Sequence, residues 1–176
     1  MKKPLFILIL FFLCCLSLNC GYTTGSLLPS RLRTIYVQPF KNSIAYTLES
    51  NRQSYVPLME IDIQKAVIDR FLYDGKLKIA KEETADLILS GELVNYSKSG
   101  LRYTDNDDVE EYRIQIAVNL VLWDTAKDQA FWEEKAFVGE ATYFVSGALA
   151  KSESAAVSDA IADLARRVIE RTMDNW

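Results

Sequence analysis

The chain has 176 residues, 24 of them acidic and 20 basic, and its formal net charge at pH 7 is −4. That balance argues against a nucleic-acid partner, which calls for a basic face. The sequence contains no histidine, so the most common general base and metal ligand are missing. No glycine-rich phosphate loop occurs either. We therefore predict no metal site and no cofactor, and an enzyme would have to rely on carboxylates, lysines or tyrosines.

The first 19 residues have the pattern of an export signal. Lys2 and Lys3 precede an apolar run, Leu5–Leu18, that is broken only by Ser17. The run is shorter than the roughly 20 residues that a membrane-spanning helix needs. A basic start followed by a short apolar run is typical of a cleaved signal. We predict a signal peptide over 1–19; the competing interpretation is a buried N-terminal strand or helix.

The residues after the apolar run predict a lipid anchor at Cys20. Ser17-Leu18-Asn19-Cys20 is an imperfect version of the lipobox at which bacterial lipoprotein signals are cleaved. Cleavage there removes Cys14 and Cys15, so an exported chain would keep one cysteine and could form no internal disulfide. A lipidated Cys20 explains that lone thiol, and more than one acyl chain gives stable anchoring. Gly21 is compatible with sorting to the outer membrane.

The first elements of the domain are a strand and a helix. After a tether over 20–31, Thr34–Phe40 has the composition of a strand and contains a proline near its end. The polar segment 41–56 is predicted to be a loop. Pro57–Tyr73 is predicted to be a helix, with a proline in its first turn.

That first helix is predicted to end at Asp74-Gly75, because glycine suits the left-handed position after a helix. Its spacing predicts one apolar side and a polar side opposite. The predicted apolar side consists of Leu58, Ile61, Ile68, Phe71 and Leu72, and the polar side of Asp62, Lys65 and Asp69. A short strand, Lys76–Ala80, is predicted to follow.

Three longer strands are predicted next. The first alternates from Leu87 to Asn95, the second runs over Tyr112–Trp123, and the third over Ala130–Tyr143. The second has the clearest period of two in the chain, which a helix would scatter around its circumference. Short links between successive strands favour an antiparallel meander with one face on the core. The residues predicted to share the core face of the second strand are Tyr112, Ile114, Ile116, Val118, Leu120 and Leu122.

The last predicted element is a helix over Ser154–Met173, capped by Ser152 or Ser154. Its apolar stripe consists of Val157, Ile161, Leu164 and Val168. The order of elements predicts an α+β fold. It is a two-layer sandwich, in which an antiparallel-rich sheet of four or slightly more strands carries both helices on one face. The sequence shows no sign of a second domain, so one domain is predicted over 32–176.

Four short segments resemble the lipopolysaccharide-assembly lipoproteins of the LptE family. They are Cys20-Gly21-Tyr22 leading into Ile35–Phe40, Ala85–Gly91, Glu111–Ile114 at the start of the strand that ends at Trp123-Asp124, and Ala148–Lys151 before the last helix. The resemblance extends over nearly the whole mature chain.

The resemblance implies a lipoprotein on the periplasmic face of the outer membrane, without enzymatic activity. It would plug a large β-barrel, LptD, assist its assembly, and take part in delivering lipopolysaccharide to the outer leaflet. Basic residues near one end of the sheet would contact the phosphates of lipid A. Lys151 follows Ala-Leu-Ala where the family has such a lysine, and Arg102, in the predicted loop before the Glu-Tyr strand, is the second candidate. Each also fits a solvated surface cation.

The segment Asp105–Glu111 is strongly acidic, which makes it a poor neighbour for phosphates. A solvated hairpin tip is the favoured interpretation. Its residue pattern lacks the later glycine and glutamate of a calcium loop. Pairing with basic loops of a barrel wall is another use that the sequence allows.

Two other classes of function compete. Val37–Asn42 also resembles the Val-x-x-Phe-x-Asn strand of lipoproteins that activate peptidoglycan synthases, and of the curli-secretion lipoprotein. The regular strand over Tyr112–Leu122 favours the LptE family instead. A carboxylate-based hydrolase would need two acids converging in a cleft, whereas the acids here cluster on a hairpin tip and on helix faces.

Overall fold

The computed structural model describes residues 28–44 and 57–173. The predicted signal, Cys20 and most of the predicted 41–56 loop lie outside the described residues. The elements are strands β1 (Thr34–Val37), β2 (Lys41–Asn42), β3 (Lys78–Ile79), β4 (Leu87–Tyr103), β5 (Val109–Asp124) and β6 (Gln129–Phe144), helices α1 (Met59–Asp74) and α2 (Glu153–Met173), and a 3-10 turn at Glu82–Thr84.

The described strands form one six-stranded sheet in the order β3-β1-β4-β5-β6, with β2 also beside β4. The long strands β4, β5 and β6 pair antiparallel, as predicted. β1 pairs in parallel with both β3 and β4, and β2 also runs parallel to β4. The predicted α+β class with two helices is confirmed, but the sheet is mixed. The reason is that α1 carries the chain back between β1 and β3, and such a crossover joins parallel strands.

The core side of β5 is the one that its alternation predicts. Its inward residues are at most 1% exposed: Ile114, Ile116, Val118, Leu120 and Leu122. Burying each such side chain contributes about 1.5–3 kcal/mol. β4 continues well past the predicted end at Asn95, to Tyr103. Its last residues are mostly exposed and polar and show no alternation, so their strand conformation depends on pairing with β5.

The predicted apolar side of α1 is wrong at Leu58, Ile61 and Leu72, whereas Phe71 is buried as predicted and Ile68 packs, partly buried, against the core. The helix buries Met59, Ile63, Val67 and Phe71. In contrast, Leu58, Ile61 and Leu72 are 58%, 52% and 60% exposed. The helix is apolar on two opposite sides, so helical spacing alone could not select the buried one. Tertiary contact selects it, since α1 packs beside β1, where the Gln64 side-chain amide donates a hydrogen bond to the Val37 carbonyl at 3.1 Å.

Helix α2 begins where the sequence predicts a cap. The Ser152 hydroxyl accepts a hydrogen bond from the backbone N–H of Ala155 at 3.2 Å. The helix lies close against β6 at Gly139, where an added Cβ would be 2.4 Å from the Leu164 Cβ. Both helices therefore cover one face of the sheet. Neither of the described helices is long and apolar enough to span a membrane.

Candidate functional site

The two ends of the sheet differ in chemistry. We call residues 97–113 and 141–152 the hairpin end, because the β4–β5 turn extends from it. We call residues 28–34, 72–78, 85–88 and 122–130 the N-terminal end. Both candidate cations from the sequence lie at the hairpin end.

Arg102 lies within β4 and not in a loop, which corrects its predicted placement. The strand register sets Arg102 opposite Glu111, and Glu111 opposite Phe144. The Arg102 Nε atom is 3.6 Å from a Glu111 carboxylate oxygen, and its guanidinium is 5.5 Å from the Phe144 ring centre. The Arg102 side chain is 61% exposed, whereas that of Glu111 is 9% exposed. Arg102 is thus positioned by two neighbours but remains open to solvent.

Lys151 lies on the other side of the same Phe144. Its backbone N–H donates to the Phe144 carbonyl at 3.0 Å, and Phe144 also forms a parallel bridge with Ala150. The Lys151 ammonium is 2.9 Å from an Asp159 carboxylate oxygen, and both side chains are about half exposed. With strands spaced about 4.8 Å apart, three spacings place Arg102 and the Ala150 segment about 14 Å from each other. The structure therefore brings the two predicted site residues to one edge of the fold.

Lys98 is a third cation at this end, and sequence reasoning missed it. Its ammonium donates to Glu153 at 2.5 Å and lies 4.4 Å from the Tyr112 ring centre. The hydroxyls of Tyr96 and Tyr143 donate to the same Glu153 carboxylate. Because Glu153 is 55 residues away in the chain, no local pattern indicates the pair.

The electrostatics of this cluster hold Lys98 charged. The hydrogen bond to Glu153 raises the pKa of Lys98 and, reciprocally, lowers the pKa of Glu153. Burial, reinforced by the Glu153 charge, raises the pKa of Tyr96 to about 12. Burial also raises the pKa of Tyr143. The cluster fastens the start of α2 to β4 through an ion pair in which both Lys98 and Glu153 stay charged.

The acidic turn is shorter than the sequence suggests, because Glu110 and Glu111 belong to β5. The Thr104 N–H donates to the Asp108 carbonyl at 2.8 Å, and Asp107 takes a left-handed conformation with φ 63°. Asp105, Asp107 and Asp108 are all exposed. Across the described residues, no group of three or more acidic or cysteine side chains is arranged to hold a metal ion.

Exposed apolar side chains accompany the cations of the hairpin end. They are Leu101 (43% exposed), Tyr103 (56%), Val145 (45%) and Leu149 (73%). Separate cations beside exposed apolar groups suit a ligand that has both anionic groups and hydrocarbon chains. Lys98, Arg102 and Lys151 each have a carboxylate partner, so an anion that binds one of them would have to displace that carboxylate. The Lys151–Asp159 pair is the easiest to exchange, because an exposed ion pair is worth only about 0.2–1 kcal/mol.

The acids at the N-terminal end have structural roles. The Arg31 guanidinium binds both oxygens of Asp124, whose side chain is fully buried. Asp86 accepts hydrogen bonds from the backbone N–H groups of Arg33 and Thr34 at 2.9 and 3.0 Å. These interactions lower the pKa of both carboxyls. The Ala-Asp-Leu and Trp-Asp segments therefore hold the start of the domain in place.

Comparison with known proteins identifies the family to which this chain belongs. The family model for LptE, described as lipopolysaccharide-assembly, matches residues 32–172. The chain is a member of the LptE family. The match covers every described strand and all but the last residue of α2. It confirms the resemblance to the LptE family, while Cys20-Gly21-Tyr22 lies before the matched residues.

Solved structures share the fold of this LptE-family chain at low sequence identity. A hypothetical protein from Chlamydia trachomatis is 12% identical with a TM-score of 0.53, and the alignment covers 80% of this chain and 95% of that one. A protein from Xanthomonas campestris is 11% identical with a TM-score of 0.53, over 80% and 84% of the two chains. A PelC dodecamer from Paraburkholderia phytofirmans is 16% identical with a TM-score of 0.51, over 86% and 96%. No curated protein matches the chain.

Proposed function

We propose that this protein is a lipoprotein of the outer membrane, anchored through Cys20 on the periplasmic face. There it plugs an LptD-type β-barrel, assists its assembly and takes part in delivering lipopolysaccharide to the outer leaflet. Membership of the LptE family over 32–172 is the observation that carries the proposal. The role is one of binding and assembly, without catalysis.

The side chains exposed at the hairpin end have the chemical character that this proposal requires. Lipopolysaccharide carries phosphates on an acylated sugar, and the hairpin end presents cations beside exposed apolar side chains. Lys151 and Arg102 are the proposed phosphate contacts, since charge-assisted hydrogen bonds to phosphate are the strong ones. Their side chains are 53% and 61% exposed, so a ligand can reach both. Lys98 is held in an ion pair by Glu153, and we do not include it among the proposed phosphate contacts.

The acidic turn limits how a phosphate can approach. Asp105, Asp107 and Asp108 repel an anion that comes from the end of the hairpin. An approach from the β6 side, over Phe144 and Lys151, avoids that repulsion. The proposed contacts therefore face an anion that arrives along the edge of the sheet.

The experiment that tests the function is affinity purification of the C-terminally tagged, lipidated protein from detergent-solubilised outer membrane. We expect a large β-barrel in stoichiometric amount, identified by mass spectrometry. The Cys20→Ser variant is the control for the anchor, and it should lose membrane association. Recovery of a peptidoglycan synthase or a secretion pore in place of the barrel would contradict the proposed function while leaving fold and anchor intact.

A further inference from the structure

Arg113 is a fourth cation of the hairpin end. It lies in β5 next to Ile114, which is fully buried in the core. Because successive side chains of a strand point to opposite faces, Arg113 lies on the face of the sheet that the helices leave open. The strand register sets it between Ser99 of β4 and Thr142 of β6. Arg113 therefore has a hydroxyl side chain on each side, and both of these residues are exposed.

The Arg113 guanidinium contains a buried donor without an acceptor. Its Nε atom is buried and has no hydrogen-bond partner, although the side chain as a whole is only half-buried. Within the described part of the chain, Arg113 also forms no ion pair and no contact with a ring. Burying a cation in this way costs free energy, because the group loses water and gains no partner in return. Such buried donors are uncommon, and a bound anion is one of the groups that satisfy them.

Three other buried side-chain atoms in the described residues lack a hydrogen-bond partner, but their side chains are held by another contact. The contacts are a cation–π pair of Arg70 with Tyr73, an ion pair of Asp74 with Lys76 and a cation–π pair of Arg171 with Trp132. Arg113 differs from these side chains, because no contact of either kind holds its guanidinium. Packing within the fold therefore does not explain why an arginine occupies this position.

The carboxylates beside Arg113 on the open face are engaged elsewhere. Glu111, two positions earlier on the same strand, is 3.6 Å from the Arg102 Nε atom. Glu140 lies opposite Gln115 in the register and accepts a hydrogen bond from its amide at 3.0 Å. An anion that binds Arg113 therefore has no carboxylate to displace, in contrast to the other cations of the hairpin end.

Arg113 lies on the same face of the sheet as Arg102, and Phe144 is beside both. Phe144 pairs with Glu111, so its position is diagonal to Arg113, at a distance of about 7–8 Å. The Arg102 guanidinium lies 5.5 Å from the Phe144 ring centre, and the Lys151 N–H donates to the Phe144 carbonyl. An anion that arrives over Phe144 along the edge of the sheet would therefore also reach Arg113.

We propose that Arg113 is a further anion-binding residue of the hairpin end, and that it binds a phosphate group of lipopolysaccharide together with Ser99 and Thr142. The guanidinium presents several N–H donors in one plane, which suits a phosphate, and the two hydroxyls can donate to the remaining oxygens. The inference rests on lipopolysaccharide as the ligand in the proposed function. It adds the face of the sheet that the ligand contacts, which is the open face opposite the helices.

Binding of two lipid A probes tests the assignment in the full lipidated protein. One probe is lipid A with its phosphates, the other is dephosphorylated lipid A, and each is titrated in detergent micelles. The variant is Arg113→Gln. The matched control is Arg33→Gln, which makes the same change at an exposed arginine of the N-terminal end. Thermal unfolding of both variants is recorded alongside.

We expect Arg113→Gln to weaken binding of the phosphorylated probe by about fivefold to tenfold, because a charge-assisted contact is lost. Arg33→Gln should leave that affinity unchanged. The unfolding temperature of Arg113→Gln should not fall, since the substitution removes a buried cation that has no partner within the described residues. Binding would thus weaken without a loss of stability, which a merely structural arginine would not show.

Unchanged affinity of Arg113→Gln would overturn the inference. An equal loss for the dephosphorylated probe would also overturn it, because the group bound would then not be phosphate. A weaker affinity that comes with a large fall in the unfolding temperature would give Arg113 a structural role instead. If the wild-type protein binds neither probe, the ligand of the proposed function is wrong, and that result is distinct from wild-type binding that Arg113→Gln leaves intact.

Discussion

At the scale of single residues, a substitution of Lys151 is the most direct test of the proposed ligand site. Lys151 has one exposed carboxylate partner, Asp159, and this pair is weak enough to exchange for a phosphate. We expect Lys151→Glu to weaken lipopolysaccharide binding by about threefold to tenfold, which corresponds to about 1 kcal/mol. Competition with a fluorescent lipopolysaccharide measures the effect.

Lys135→Glu is the matched control for that prediction. Lys135 is 82% exposed and lies in β6 away from the hairpin end, and the substitution changes net charge by the same amount. Equal losses in the two variants would show that net charge alone governs binding and would contradict the site.

Parts of this proposed site can be predicted from the sequence, and others cannot, for physical reasons. Lys151 follows a short motif at the start of a helix, and local sequence indicates such positions. Arg102 was placed in a loop because its strand has no alternation beyond Asn95 to reveal it. The pair of Lys98 and Glu153 depends on packing between distant elements, which a single sequence does not record.

At the scale of elements, the contact between Phe40 and Gly91 joins the first strands to the long meander. A Cβ added at Gly91 would lie 1.7 Å from the Phe40 ring, which is only 6% exposed. We expect Gly91→Ala to lower the free energy of unfolding by about 1–3 kcal/mol through overpacking. Urea unfolding of the single and double variants measures this loss.

The double variant with Phe40→Leu makes the Gly91 prediction specific. The smaller side chain makes room for the new methyl group, so the two changes together should cost less than their sum. Strict additivity would mean that the ring and the glycine do not constrain each other. The contact also gives a physical reason why Ile35–Phe40 and Ala85–Gly91 occur together among the family-like segments.

The buried side of helix α1 could not be predicted from its sequence alone. Its two apolar sides satisfy the same spacing rule, and packing of the helix against the sheet and α2 decides that Ile63 is buried and Ile61 exposed. β5 leaves no such choice, because strict alternation separates its core side from its open side. The long strands were therefore predicted with the correct faces and the first helix was not.

At the scale of the whole molecule, stability should depend on pH mainly outside the neutral range. Hydrogen bonds from Arg33, Arg31 and Lys98 lower the pKa of Asp86, Asp124 and Glu153 respectively. Such carboxyls stabilise the fold above their unfolded pKa values of about 4, and the contribution is lost as pH falls through the lower folded values.

Alkaline pH acts through a tyrosine. The pKa of Tyr96 is raised to about 12 from 10.0, so its stabilising contribution is complete below pH 10 and is lost as pH rises through 12. The chain has no histidine, and we expect the free energy of unfolding to change little between about pH 6 and pH 9. Urea unfolding across about pH 2–12 measures both the acid and the alkaline loss of stability. Asp124→Asn should flatten the acid limb, and an unchanged limb would contradict the role of Arg31.

The length of β5 has a consequence for how the molecule would be placed at a membrane. Its 16 residues extend for about 50 Å, because a strand advances about 3.3 Å per residue. The hydrocarbon core of a bilayer is about 30 Å thick. Inside a barrel, as proposed, a domain whose N-terminal end lies level with the inner-leaflet headgroups would therefore bring Arg102 and Lys151 to the height of the opposite headgroups. The length of one continuous strand would then set the distance between the two ends of the domain, and that distance would match the full thickness of the membrane.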